Sequence, residues 1–492
     1  MLDREVCDRA RLARDARFDG RFFSGVVTTG VYCRPICPVR PAGSQNVRFF
    51  PSAAAAERAG FRPCLRCRPE AAPGTPAWQG SASVVSRGLA LINRGFLDEH
   101  SSADLAAFLG VGTRQLTRLF MNHLGATPGA VARTRRGQLA KRLLDETTMS
   151  VTEIAFAAGF SSIRRFNAVF AETYGRPPSQ TRRSSPIDRT RAATIRIRLA
   201  YRPPFHWPTL AALLASEAIP GVEAADGCAY RRSISVDGRH GWLEVSPSPG
   251  EDCLALTLCL PRYTKLRSIV ERVRALFDLN ADPARIGAQL VHHPQAARLL
   301  AEASDLRLPG AWDGFELAIR TLVVDDVGHA DATGIMRRLA ENYGVHLASP
   351  PQVGPELIFP TAGCLAEASL SGYGLSRQTV RFVRRLARAV RNGKLCFSPT
   401  QTFEDLVNRL RQTAGFDRPT ANWIAMRTLG EPDAVPFGTR TVRGLDVWGT
   451  AELADHESWR PWRSYVAILL ASAALRAGAV GSGPLARRSV RP

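Results

Sequence analysis

Four of the ten cysteines stand close together: Cys33 and Cys37 in VYCRPIC, and Cys64 and Cys67 in RPCLRCRP, with 26 residues between the pairs. In a reducing compartment this spacing points to zinc, because four thiolates at about 2.3 Å satisfy a tetrahedral Zn²⁺ and supply folding energy to a short segment. Such a site does one of two things. It holds a fold together, or it keeps one sulfur ionised as a nucleophile. Cys228, Cys253, Cys259, Cys364 and Cys396 are isolated and read as apolar fillers. The nine histidines show no ligand spacing with carboxylates. No phosphate-binding glycine loop, dinucleotide fingerprint or nucleophile elbow occurs, which removes support for a nucleotide-dependent enzyme.

The elements that must position these cysteines belong to a chain of 492 residues, long enough for about three domains. It carries 65 basic against 44 acidic side chains, a formal charge of +21. A polyanion is the expected partner. Residues 1–190 hold 28 basic and 15 acidic groups, leaving +13, and the remainder holds +8. Only Lys141, Lys265 and Lys394 are lysines; the rest is arginine, the better bidentate phosphate ligand. The longest apolar stretch, Tyr465 to Leu475, falls short of the ~20 residues of a membrane span, and the first residues are too charged for a secretory signal. A cytoplasmic, nucleoid-associated protein is therefore expected, with no membrane partner. Proline- and glycine-rich stretches at 71–83, 176–194 and 347–355 divide the chain. Between them, 84–175 has helical periodicity, 195–260 alternates with period two, and the helical period returns from about 263, as in the arginine-faced RQTVRFVRRLARAVR.

RLARDARFDGRFFSGVVTTGVYCRPICPVR, followed by NVRFFPSAAAAERAGFRPCLRCRPE, resembles the zinc domain of the Ada adaptive-response proteins, with every cysteine in register. The resemblance implies that Cys33 accepts a methyl group from a methyl phosphotriester in alkylated DNA while remaining a zinc ligand. It also names Thr29, Arg34, Arg40 and Arg62 as phosphate contacts. Four thiolates on Zn²⁺ carry a formal charge of −2, and methylating one brings the site to −1, so repair would also raise affinity for DNA. The Pro-Cys-His-Arg motif of the O6-methylguanine-transferring half of Ada proteins is absent.

Two helix-turn-helix patterns follow, offset by 49 to 50 residues: Leu105, Ala106 and Gly110-Val111-Gly112, then Ile154, Ala155 and Gly159-Phe160-Ser161. The pair resembles the AraC-type DNA-binding domain. Thr113, Arg114, Gln115 and Arg118 on the first recognition helix, and Ser162, Arg164, Arg165 and Asn167 on the second, are left to meet double-stranded DNA. The coupling to an Ada-type domain implies an activator that engages RNA polymerase.

YRPPFHW, LPGAWDGFELAIRTLV, TANWIAMRTLGEPDAVP and WRPWRSY resemble the AlkA-type 3-methyladenine DNA glycosylases over roughly 194–475. That family flips a damaged base from the duplex and uses one carboxylate to stabilise charge at the sugar. Here the position of that acid is Thr439. The hairpin reads Ala414-Gly415-Phe416-Asp417, the duplex-wedging run Val324-Asp325-Asp326-Val327, and a pocket aromatic is Ala471. Asp417 and the two wedge acids are expected to oppose DNA, and Asp433, Asp417 and Asp446 are the candidates to replace the missing acid.

The expected architecture is multidomain α+β. A small zinc-bound α/β domain (1–72) precedes an all-α double helix-turn-helix domain (84–183), an α+β subdomain (194–300) and a helix-hairpin-helix bundle (301–478). The expected function is single-turnover methyl transfer to a zinc-bound cysteine, coupled to transcriptional regulation, with a glycosylase-like domain that no longer excises bases. The alternatives are a bifunctional protein with an active glycosylase, and a pure transcription factor whose zinc is structural.

Overall fold

The structure, a computed structural model, describes residues 3–72, 83–182, 194–263, 265–302, 307–398, 401–436 and 456–476. The N-terminal unit opens with helix α1 (Arg4–Leu12), capped by Asp3, whose carboxylate accepts from the Glu5 amide. Strands β1 (Phe23–Val26), β2 (Val31–Cys33), β3 (Val47–Phe50) and β4 (Arg62–Pro63) form a sheet in the order β3-β1-β2-β4, with α2 (Ala53–Arg58) between β3 and β4. The turn from β1 to β2 uses Gly30 at φ +63°. Its core is small, centred on Phe23, Tyr32, Phe50 and Phe61. This cluster of seven residues and a second one of Cys7, Ala10 and Phe22 are too small to hold a 70-residue unit by burial alone, which is where a metal contributes.

Eight helices follow: α3 (Ser83–Asn93), α4 (Phe96–Glu99), α5 (Ser102–Phe108), α6 (Thr113–Leu124), α7 (Pro128–Glu146), α8 (Val151–Ala157), α9 (Ile163–Tyr174) and α10 (Pro178–Thr181). The repeat seen in the sequence is a repeat of caps. Ser101 with Asp104, and Ser150 with Glu153, form reciprocal capping boxes at the starts of α5 and α8. Gly110 (φ +70°) and Gly159 (φ +89°) turn the chain at equivalent points, where a side chain would be strained. Leu116 and Phe120 of α6, and Phe166 and Phe170 of α9, then point inward. The 19-residue α7, about 28 Å long by its rise, joins the two halves.

The period-two segment forms a five-stranded antiparallel sheet from β5 (Thr194–Ala200), β6 (Glu223–Ala225), β7 (Tyr230–Val236), β8 (Arg239–Pro247) and β9 (Cys253–Cys259), in the order β5-β9-β8-β7-β6. Ile195, Ile197 and Leu199 register against Leu258, Leu256 and Leu254, so the alternating apolar residues of both strands share one face. Helix α11 (Trp207–Ser216) sits between β5 and β6, and α12 (Leu266–Leu276), α13 (Pro283–Leu290) and α14 (Pro294–Glu302) follow the sheet. The last unit contains α15 (Gly314–Val327), α16 (His329–Tyr343), the short strands β10 (Val345–His346) and β11 (Leu357–Ile358), α17 (Ala362–Glu367), α18 (Arg377–Arg391), α19 (Phe403–Arg409), α20 (Arg418–Leu429) and α21 (Arg463–Arg476).

The hydrophobic cores do not respect the boundaries drawn from composition. One core joins Leu143, Phe166 and Phe170 of the helix-turn-helix region to Ile197, Leu256 and Val270 of the sheet subdomain. Another takes Leu213, Val222, Ile286 and Leu290 from the α+β segment into the helical bundle. Cys253 is buried, as an apolar filler should be, but Cys228, Cys364 and Cys396 are exposed, which corrects their reading as packed side chains.

Candidate zinc centre and nucleic-acid interface

Cys33 ends β2, Cys64 follows β4, and β2 and β4 pair in parallel, so the sheet itself brings the two halves of the cluster together. Tight turns supply Cys37 and Cys67: the Cys37 amide donates to Arg34 O at 3.2 Å, and the Arg68 amide to Cys64 O at 3.2 Å. All four sulfurs lie within 4.8 Å of one another. A tetrahedral Zn²⁺ at about 2.3 Å from each would set them about 3.8 Å apart, so the donor set fits the ion after sub-ångström contraction. Backbone amides also point at the sulfurs. The Arg34 N–H reaches Cys67 Sγ at 3.4 Å, the Val39 amide bonds Cys37, and the Cys67 amide bonds Cys64. Hydrogen bonding among the four sulfurs lowers the Cys64 thiol and brings Cys37 down to about 7, and the same contacts push Cys33 and Cys67 up. Four sulfurs this close cannot all be thiolates without a cation among them. Cys64 and Cys67 are buried while Cys33 and Cys37 are half-buried, so the open edge of the cluster belongs to the first pair.

Of the four phosphate-contact candidates, Thr29, Arg40 and Arg62 are exposed. Thr29 lies in the β1–β2 turn, and the Arg62 amide bonds Gly30 O at 2.8 Å, so Thr29 and Arg62 are neighbours. Arg34 departs from expectation. Its guanidinium is half-buried, pairs with the buried Asp19 (Nε to Oδ1 2.9 Å) and donates to Cys67 O at 3.2 Å. It braces the cysteine loop from beneath because Asp19, nineteen residues into the chain, is delivered beside it by the fold.

All eight residues singled out on α6 and α9 are exposed: Thr113, Arg114, Gln115 and Arg118, then Ser162, Arg164, Arg165 and Asn167. Ser162 also caps α9, its hydroxyl accepting from the Arg165 amide at 3.2 Å. Helix α9 packs beside β4, which places the second recognition helix next to Arg62 and the zinc unit.

A buried ionic network, little signalled by residue spacing, couples the two units. Arg68, adjacent to Cys67 and at φ +52°, pairs with Asp145 and Glu146 of α7 at 3.1 Å. Lys141 pairs with Asp145 and stands 3.8 Å from Glu70. Glu57 of α2 accepts from the Tyr32 hydroxyl at 2.9 Å and from Thr134 of α7. Burial raises the Glu57 and Glu70 carboxyls above their ordinary range. One signal was available: Lys141 is one of three lysines in an arginine-rich chain, here on a helix face that must be buried.

The glycosylase-like segment reads differently. Thr439 and Asp446 lie outside the described residues. The run Val324 to Val327 forms the last turn of α15, with Val324 buried, and the Ser376 amide at the start of α18 donates to Asp326 Oδ2 at 2.7 Å. Gly415 keeps a hairpin turn at φ +80°, and Asp417 is the N-cap of α20, accepting from the Thr420 amide at 2.8 Å. Asp433 is held by Arg463 at 2.7 and 3.0 Å and by Arg460 at 2.8 Å. Asp326 and Asp417 thus each satisfy a backbone amide at a helix start, while keeping the negative charge expected to oppose DNA. Ala471 lies half-buried on α21.

Comparison with known proteins agrees with this division. The chain matches the metal binding domain of Ada over residues 6–70, a helix-turn-helix domain over 105–184 and the AlkA N-terminal domain over 196–313. It is 37% identical over 475 residues, 94% of this chain and 95% of the relative, to the probable bifunctional transcriptional activator/DNA repair enzyme AlkA of Mycobacterium tuberculosis. The chain belongs to this Ada–AlkA family. Over its C-terminal part the family member is 28% identical to DNA-3-methyladenine glycosylase 2 of Escherichia coli, covering 55% of this chain and 94% of that one. Over its N-terminal part it is 34% identical to the bifunctional transcriptional activator/DNA repair enzyme Ada of the same organism, covering 35% of this chain and 47% of that one. The metal of the four-cysteine centre is Zn²⁺. No helix among the described residues is long and apolar enough to cross a membrane.

Proposed function

We propose that this protein repairs methyl phosphotriesters in double-stranded DNA by transferring the methyl group to Cys33, and that the methylated protein activates transcription of its target genes together with RNA polymerase. The observation that carries the reading is the open edge of the sulfur cluster. Cys33 is half-buried there, on the strand that leaves the turn carrying Thr29 and pairs with the strand carrying Arg62, beside which α9 packs. Bound zinc supplies the charge that keeps the cysteines ionised at neutral pH. The Cys33 sulfur attacks the methyl carbon, the methyl C–O bond breaks, and the phosphate leaves as a diester anion with the bonding pair. Thr29, Arg40 and Arg62 hold the flanking phosphates, and Arg34 fixes the loop that carries the nucleophile. The thioether so formed is neutral, the centre loses one negative charge, and the protein binds DNA more tightly. Arg114, Gln115 and Thr113 with Arg118, and Ser162, Arg164, Arg165 and Asn167, read bases and phosphates of the operator. Full-length protein mixed with methylated DNA and digested for mass analysis should show an adduct of about 14 Da on the Cys33 peptide. Its absence would remove the methyl-transfer reading and leave a structural zinc.

For the C-terminal half we propose a glycosylase-like domain without base excision, because threonine at position 439 supplies no anion for the sugar charge. One observation favours the other reading, a working glycosylase: Asp326 and Asp417 are spent on helix starts, so they do not by themselves argue against a DNA-facing surface. Asp433, clamped by two arginines, is a poor substitute for a free catalytic acid. Release of 3-methyladenine from alkylated DNA by the intact protein decides between them: release above the no-protein rate establishes the bifunctional enzyme.

A further inference from the structure

Where the zinc unit, the helix-turn-helix region and the sheet subdomain meet, an open cleft lies between α7, the end of α3 and α12. Its lining carries four arginines, Arg135 and Arg142 from α7 and Arg267 and Arg274 from α12. Arg267 is fully engaged, with Asp98 at 3.1 Å and the Asn93 carbonyl at 3.0 Å. Among the described residues the other three have no carboxylate within ion-pair distance. Arg274 is met only by neutral acceptors, the Asn280 amide oxygen at 2.7 Å and the Ala200 and Leu279 carbonyls. Arg142 donates to the Arg198 carbonyl and leaves its buried Nε without a partner. Arg135, half-buried, makes no hydrogen bond or ion pair among the described residues and lines both this cleft and the neighbouring one beneath α2. One carboxylate in the lining, Glu271, is free of ion pairs; Glu70 is taken by Lys141 and Arg68. Burial depresses the Arg135 guanidinium and brings Arg274 down to about 10, the mark of cations whose charge is not offset.

We propose that this cleft binds a small phosphate monoester. Three guanidiniums without an ion pair face Glu271, and the adjoining network of Arg68 and Lys141 with Glu70, Asp145 and Glu146 holds one carboxylate in excess, so a positive surplus remains that a phosphate anion neutralises, and guanidinium is the side chain whose geometry fits phosphate oxygens in pairs. The buried Asn93 Oδ1, also without a partner, lies at the same cleft and would accept a hydrogen bond from a donor elsewhere on the ligand. A nucleoside monophosphate carries such a donor; inorganic phosphate offers one only when protonated. Residues 73–82, which continue the chain from Ala72 on the lining, contain no carboxylate and so cannot supply the missing charge. Because the lining comes from all three units, the ligand would hold them in their docked arrangement and report a metabolite level to the DNA-binding helices.

The test is calorimetry and thermal denaturation of the full-length protein with inorganic phosphate and with AMP, at ionic strength fixed by sodium chloride. The Arg135→Gln variant is compared with Arg381→Gln, which removes an exposed arginine of α18. Saturable binding that weakens by at least about tenfold in Arg135→Gln and persists in Arg381→Gln is expected. Without ligand, Arg135→Gln should be no less stable than the parent, since it removes an uncompensated charge. AMP binding more tightly than phosphate marks a nucleotide site; equal affinities mark recognition of the phosphate group alone. No saturable binding of either probe, an unchanged affinity in Arg135→Gln, or destabilisation of that variant without ligand would each overturn the proposal.

Discussion

The zinc and helix-turn-helix units differ from the glycosylase-like units in how their charges are spent. In the first, the arginines of α6 and α9 stand exposed around well-packed aromatic cores, while the buried charges, Arg68, Glu70, Lys141 and Asp145, lock one unit to the other. In the second, the acids at the hairpin and the wedge cap helices, and Asp433 is clamped between Arg460 and Arg463. A carboxylate where a relative touches DNA is thus not in itself a device for repelling DNA. The proposal of a silent glycosylase rests on the threonine at position 439.

The largest test of this contrast is metal removal. Chelation should unfold the N-terminal unit, since structural zinc contributes on the order of 10 kcal/mol or more to such sites, and leave the helical C-terminal signal intact. Domain-resolved hydrogen exchange would show it, and protection retained in residues 20–70 without metal would break the claim that this half depends on zinc. Next, Lys141→Ala leaves the Glu70 and Asp145 side chains, each only 2% exposed, with Arg68 as their one remaining cation among the described residues, and should cost about 3 kcal/mol by thermal or urea denaturation. A smaller loss would mean that the docking of zinc unit to α7 is loose.

At the DNA interface, Arg164→Ala or Arg165→Ala should each cost about 1–3 kcal/mol in operator binding, and a phosphate-contacting arginine should also reduce the salt slope by about 1. Equal losses from Arg377→Ala on α18 would shift the DNA-binding surface toward the C-terminal half. The smallest expected effect concerns Glu431, whose carboxyl is raised to about 7 by burial and then by the nearby Asp433. Raised above its unfolded value near 4.5, it leaves the fold fully stable below that pH, and stability falls as pH rises through 7. Glu431→Gln should accordingly gain about 2 kcal/mol at pH 8 and nothing at pH 4, read by denaturation at the two pH values. A gain that is the same at both would show that its ionisation does not matter.

Much of this was legible because it is local. Cys-x-x-x-Cys and Cys-x-x-Cys set their own turns, Ser101/Asp104 and Ser150/Glu153 carry their own capping boxes, Gly110 and Gly159 mark the turns, and Ile195 to Leu199 announces a strand by alternation alone. Each of these depends on residues within a few positions of one another. What escaped depends on partners far apart in the chain. Asp19 makes Arg34 a brace of the cysteine loop, the Ser376 amide gives Asp326 structural work from fifty residues away, and Arg68 meets Asp145 across the unit boundary. In the sequence, composition determined that the protein is basic, and spacing that Cys33, Cys37, Cys64 and Cys67 form a metal site. Only the tertiary structure decided which charges remain free to meet DNA, because burial and distant pairing, not residue type, set whether a charge is already neutralised.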